Sequence, residues 1–504
     1  HMYWKYGQKI LAAGRIIASD RRLNALYVTN FGCGPDSFIL KFFAKEMGSK
    51  PYLQIEVDEH SSDVGAITRC EAFLDSLKNV RATTPGRYRA YEGPLALSAR
   101  EGRTVYVPYM DDHARALAAT MRAGGIDAVA LPVSDEESIR LGRKHTSGKE
   151  CYPCVITTGD ILKKVSEPGF DPKRAAFFMP TAMGPCRFGQ YNKFHRMVLD
   201  DLGYRDVKIL AFNQNQGFHS DTGKLGSGFL RRAWQSIIAV DTLGKLLRQV
   251  RPAEKAKGTA DRVYEHALKR LERGIEARGD LLEVLLEIRD EFVAIPVENG
   301  RPRPRIGLIG EVYVRCHQFA NEYVIRKIEE LGGEAVLPPF EEWVNYIAWE
   351  RRTESVRRKQ WGVFFRELVA GHVQRRDRAR IQDIFRGHIR GRLHELSTEE
   401  VLKRADPYIH RTIKGEACLS VGRAVEYAEE DFAGVVNIAP FGCLPSTIVA
   451  SLTRKFRQNH RNLPWLDLYF DGTSQAGTQT RLEAFMAQAA DFAAAGREAV
   501  PTGS

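Results

Sequence analysis

The sequence has no apolar run approaching the roughly 20 residues that a membrane-spanning helix needs. It has no charged-then-apolar leader at its N-terminus, so a cytoplasmic protein without a membrane partner is the expectation. It has no P-loop, which leaves ATP hydrolysis within this chain unsupported. Its Gly-x-Gly matches, such as "GKLGSGF" at Gly223–Phe229, lack the strand-before, helix-after frame of a dinucleotide fingerprint. No zinc-finger spacing and no aromatic-plus-basic RNA motif is present, so nucleic acid is not expected as a partner.

What is present is an ordinary globular composition over 504 residues, 43% hydrophobic and 27% charged, which is enough for several real cores. The net charge of +11 is concentrated in Arg351–Arg392. That stretch reads first as a solvated helical face. A groove for an anionic ligand such as a CoA nucleotide is the alternative.

Short β-rich runs alternate with helical ones. "LNALYVTNF", "RTVYVPY", "AAFFMP" and "RIGLIG" each read as a strand leading into a helix. The rhythm defines an α/β protein with several flavodoxin- or Rossmann-like parallel-sheet domains covered on both faces, whose ligands bind at the carboxyl ends of the strands. Leu225–Phe292 and Glu341–Asp406 break the rhythm and read as helical insertions. Polar, Pro-containing stretches at Thr83–Pro94 and Pro296–Arg305 read as boundaries. The expected divisions are 1–82, 95–170, 171–295 and 301–495.

The first and last of these share a repeat. Phe-Gly-Cys-x-Pro occurs at Cys33 and again at Cys443, 410 positions on. Downstream, Asp58 aligns with Asp471, Gly65 with Gly477, and Glu71-Ala72-Phe73 with Glu483-Ala484-Phe485. Each copy is one strand, Cys loop, helix, strand, helix unit, so the chain opens and closes with the same half-domain. Cys70 falls on Leu482 in this alignment and reads as a small buried hydrophobe.

There are eight cysteines, and in a long chain without a secretion signal metal ligation or redox chemistry comes before disulfides. Cys151 and Cys154 form C-x-x-C just before a helical run, where a helix N-terminus stabilises thiolates. A thioredoxin-like dithiol, a zinc site and an iron–sulfur site compete for that motif. Cys186, Cys33 and Cys443 each follow a strand and sit beside Gly or Pro. Parallel-sheet topology puts all such loops on the ligand side, which favours a shared iron–sulfur site over unrelated structural cysteines. Arg187, His195, Arg69 and Arg481 are polar companions suited to hydrogen-bonding sulfide or an anionic substrate. Cys316 and Cys418 read as packing residues.

The motifs "NFGCGPDSF", "DVGAITRCEAF", "TSGKECYPC", "GPCRFGQYNK", "GEVYVRC" and "VNIAPFGCLPSTIV" resemble the 2-hydroxyacyl-CoA dehydratase and benzoyl-CoA reductase family. The nearest likeness is to its activase-associated, dehydratase-like module, with double-cubane cluster proteins as relatives. The resemblance covers nearly the whole chain. It implies an oxygen-sensitive 4Fe-4S protein, its cluster held between domains and reduced at low potential by a separate ATP-dependent activase that itself carries a cluster. By position, Cys151 or Cys154 resembles one cluster ligand, Cys186 the second and Cys443 the third, with Cys33 duplicating the third. The substrate implied is a CoA thioester or other small molecule. Five candidate cysteines exceed the dehydratase pattern of three, which leaves room for a fully ligated cluster or an 8Fe-9S double cubane. An electron-transfer or cluster-carrying accessory protein with no substrate of its own is therefore the alternative.

Overall fold

The computed structural model describes residues 2–30, 34–79, 102–182, 184–212, 228–298, 303–473 and 477–498. The chain opens with α1 (Lys5–Ser19), β1 (Ala25–Thr29), α2 (Asp36–Met47), β2 (Tyr52–Glu56) and α3 (Asp63–Leu77). β1 and β2 form a two-stranded parallel sheet. The stretch continues with β3 (Thr104–Val107), α4 (His113–Ala123), β4 (Ala128–Ala130), α5 (Glu136–His145) and α6 (Tyr152–Val165). β5 (Ala175–Phe178), α7 (Tyr191–Asp201) and β6 (Lys208–Leu210) complete it. These four strands form one parallel sheet in the order β4-β3-β5-β6. The boundary expected between 170 and 171 therefore falls inside a single sheet. β5 pairs with β3 from across it, because its short apolar run "AAFF" is buried only between neighbours on both edges.

Helices Phe229–Val250, Thr259–Glu276 and Leu281–Val293 form the first helical insertion, in register with the expected break in rhythm. The last sheet takes β7 (Arg305–Gly310), β8 (Glu334–Val336), β9 (Gly434–Pro440) and β10 (Trp465–Phe470), in the order β10-β9-β7-β8, all parallel. Between β8 and β9 lie helices Glu341–Arg357, Trp361–Asp383, Thr398–Ala405 and Glu416–Glu429. β9 is buried at all seven positions, the pattern of a strand covered on both faces.

The repeat is legible in the hydrogen bonding. Ala25 pairs with Tyr52 and Thr29 with Glu56, and at the equivalent positions Val435 pairs with Trp465 and Ala439 with Tyr469. The two copies differ in what surrounds them. The first packs through α2, whose Phe38, Phe42, Phe43 and Met47 are nearly fully buried in one core with Phe194 and Leu199 of α7 and Ile209 of β6. Each such side chain contributes about 1.5–3 kcal/mol of burial free energy, which fixes the half-domain to its neighbour.

Arg351, Arg378, Arg390 and Arg392 of the basic stretch are ion-paired with Glu367, Glu341, Glu334 and Glu430. No helix among the described residues is long and apolar enough to cross a membrane.

Candidate functional site

Each four-stranded sheet has a switch point, where the chain leaves adjacent strands in opposite directions. In the first sheet it lies between β3 and β5, and in the last between β7 and β9. Crevices form at the carboxyl ends of strands at such points. Here the two crevices open into one cavity of about 270 Å³. Its walls are mostly apolar and include Val107 and Phe178 from the first sheet, Ile237 from the helical insertion, and Trp343 and Tyr346 from the second. Cys186, Cys443, Glu311 and Glu416 also face it.

The cysteines reach this place through helix starts. Cys151 is the residue ahead of α6, with Pro153 in the first turn. Cys186 stands after β5, ahead of a short 3-10 turn, Arg187–Gln190. Cys443 stands after β9, ahead of helix Leu444–Asn459. A helix N-terminus favours a thiolate, but burial dominates here and pushes all three thiols up, Cys443 to about 12. Cys186 is open to the cavity, yet its surroundings are protein, so the desolvation stands. Cys151 and Cys443 each raise Cys186, and Cys151 raises Cys443, so the three sulfurs lie within electrostatic reach of one another.

One cation holds these loops together. The buried Arg187 guanidinium donates to the carbonyl of Gly442 at 3.0 Å, to the carbonyl of Lys149 at 3.1 Å and to the Ser37 hydroxyl at 3.2 Å. It thereby ties the Cys186 loop to the loops preceding Cys151 and Cys443 and to the N-terminal half-domain. Burial opposes its charge, but the fields of Cys151, Tyr191, Cys443 and Cys186 outweigh that, and its pKa moves up. From the other side, the Tyr3 hydroxyl donates to the carbonyl of Cys186 at 2.6 Å and the Trp4 indole to that of Gly184 at 3.0 Å. Gly189 is required in this loop, because a Cβ there would run into the carbonyl of Ala182 and the ring of Tyr3.

Two carboxyls complete the cavity wall. Glu311 follows the last residue of β7, Gly310, whose positive φ and close approach to the carbonyl of Ile438 on β9 exclude a side chain. Its carboxylate accepts from the Val314 amide at 2.9 Å. Glu416 opens helix Glu416–Glu429, and its Oε1 has no hydrogen-bond partner, with the Arg315 guanidinium 3.8 Å away. Burial pushes both carboxyls up, and Glu311 adds to the shift of Glu416 while Arg315 opposes it.

The expected residues divide. Cys151, Cys186 and Cys443 come together. Cys154 is fully enclosed in the apolar core behind α6, where its carbonyl accepts from Thr158. Cys33 lies outside the described residues. Cys70 is half-exposed rather than buried, because α3 has no buried residue at all. Cys418 is buried, and Cys316 is buried beside a different, charged cavity with Asp111, His113 and Asp241. His195 is buried next to Thr157 and held neutral by burial, with its pKa at about 3. It lies away from the cavity lining. Arg481 is spent on the carbonyl of Asp467, and Arg69 stands exposed on α3. Glu311 and Glu416 were not singled out from the sequence, although an acidic residue at the carboxyl end of a strand, as in "RIGLIGE", is the signal that finds the first of them.

Among the described residues no three His, Cys, Asp or Glu side chains enclose a single metal ion. An iron–sulfur cluster asks for a wider arrangement, since its cysteines bind different irons. Three thiols from separate loops around a buried cation fit that demand in donor chemistry and charge.

No protein-family model matches the chain, and no curated protein matches it.

Proposed function

We propose that this chain is an iron–sulfur protein of the 2-hydroxyacyl-CoA dehydratase and benzoyl-CoA reductase type, acting as a reductase or dehydratase component on a small molecule such as a CoA thioester. The observation that carries the reading is that Cys186 and Cys443 line one apolar cavity while Arg187 ties their loops to the loop preceding Cys151, whose thiol lies within electrostatic reach of both. When bound, the cluster supplies one-electron chemistry at low potential, and an ATP-dependent activase is the proposed electron source. The chain's residues then have definite tasks. Cys151, Cys186 and Cys443 hold the cluster, and Arg187 offsets negative charge at its edge. The apolar wall takes the substrate body and excludes water. Glu311 and Glu416, whose proton affinity burial raises, border the cavity as the groups to give or take a proton beside the substrate. The alternative, a cluster-carrying protein without a substrate, gives no role to a cavity of about 270 Å³ bordered by two carboxyls.

The test is anaerobic reconstitution with iron and sulfide, followed by metal and sulfide quantification and low-temperature EPR, on the wild type and on Cys151→Ser, Cys186→Ser, Cys443→Ser and Cys316→Ser. The expectation is that the first three lose iron and the cluster signal and the fourth keeps both. Wild-type iron content in all four would end the proposal. An exchangeable, non-cysteine ligand to the cluster supports the substrate reading, and full cysteine ligation supports the carrier reading.

A further inference from the structure

The repeat supplies an internal standard for what the N-terminal half-domain lacks. In the second copy, β9 has β10 on one edge and β7 on the other. In the first, β1 has β2 on one edge, and among the described residues no strand lies on the other. The faces differ in the same sense. Val436, Ile438 and Met486 are 0%, 0% and 4% exposed, while their counterparts Leu26, Val28 and Leu74 are 52%, 60% and 62% exposed. Val64 and Ile67 extend the same open apolar surface along α3. An unpaired strand edge beside such a surface is an adhesive that folded proteins normally cover. β2 offers no comparable vacancy, since its counterpart β10 is itself an edge strand.

We infer that β1 is an interface for a second copy of this chain, joined edge to edge about a two-fold axis into a continuous β2-β1-β1-β2 sheet. The two-fold makes the strands antiparallel. Centred on Tyr27, it sets Leu26 of each copy directly opposite Val28 of the other on the same face, the cross-strand apolar pairing that specifies register. The charges at the two ends of the half-domain favour this orientation. Arg21 and Arg22 are exposed where β1 begins, Arg22 being ion-paired with Asp20 at 2.8 Å so that Arg21 carries the excess charge, and Glu59 and Asp63 are exposed beside a half-buried Asp58 where β2 ends. Antiparallel pairing lays the basic end of one copy against the acidic end of the other, whereas parallel association would align like charges. A self-complementary patch of this kind closes as a dimer. The inference is independent of the cysteine site and its proposed chemistry.

Sedimentation velocity of the full chain over a concentration series tests it. The wild type is expected to dimerise, and Val28→Lys to sediment as a monomer with unchanged circular dichroism. Val129→Lys, at an exposed valine on β4, is expected to leave the dimer intact. Arg21→Glu weakens the dimer, and adding Glu59→Arg recovers it, a pair of surface changes that holds even if Val28→Lys fails to fold. A wild type that is monomeric throughout overturns the inference. So does a dimer indifferent to both Val28→Lys and the charge exchange.

Discussion

The Arg187 guanidinium donates to the carbonyl of Gly442 at 3.0 Å, a hydrogen bond across 255 residues that ends one position ahead of Cys443. It makes the position of the last cysteine loop depend on a residue adjoining the middle one. The same side chain reaches Lys149, two positions ahead of Cys151.

Arg187→Lys is expected to destabilise the fold by about 1–3 kcal/mol, because an ammonium cannot span the divergent acceptors that a guanidinium fork reaches and partly buried carbonyls lose their donor. Urea denaturation checks the loss. Iron binding during reconstitution is expected to weaken together with it.

Gly189→Ala is expected to cost about 1–3 kcal/mol through overpacking against backbone. The displaced element is the Cys186 loop, held by Tyr3 on one side. Limited proteolysis should therefore cut near residue 186 faster in this variant than in the wild type, and Tyr3→Phe should move in the same direction with a smaller effect.

His113 gives the protein an alkaline limit. Its ring lies 3.1 Å from Asp241 and 3.4 Å from Asp111. Burial pulls its pKa down, but the two carboxylates outweigh that and hold it at about 10, against an ordinary value of 6.5. A folded-state pKa above the unfolded one contributes stability that is complete below the unfolded value and lost as pH rises through the folded one. Stability should therefore fall between about pH 6.5 and 10. Denaturation midpoints across that range should show a slope in the wild type that is reduced in His113→Gln.

Ala233→Phe projects a ring into the cavity from its helical wall. An apolar fluorescent probe that binds the wild type should be excluded, while iron content after reconstitution stays at the wild-type level. Loss of both would mean that cavity and cysteine loops cannot be changed separately.

Much of this architecture is readable before any coordinates. Strands and helices alternate because parallel sheets need a helix for every return, and that leaves a period in the sequence. The repeat marked β1 and β2 as the counterparts of β9 and β10, and the two strand pairs share one register. The division of the first sheet was missed for a physical reason: "AAFF" and "KIL" are short apolar runs whose neighbours are chosen by tertiary packing. Arg187 was visible as a companion of Cys186, but its three acceptors come from loops far away in sequence. Cys154 was indistinguishable from Cys151 in a C-x-x-C motif. Docking of α6 against the aromatic core buries both, Cys154 completely and Cys151 at 6% exposed.

The spread of the three cysteine loops along the chain has a consequence for biosynthesis. Residues 151 and 186 emerge from the ribosome long before residue 443. At about 5–20 residues per second the gap lasts on the order of ten seconds to a minute. During that interval the earlier thiols wait without their third companion, so under the proposed function loading of a cluster would belong to the finished polypeptide and would depend on a cell that keeps nascent thiols reduced.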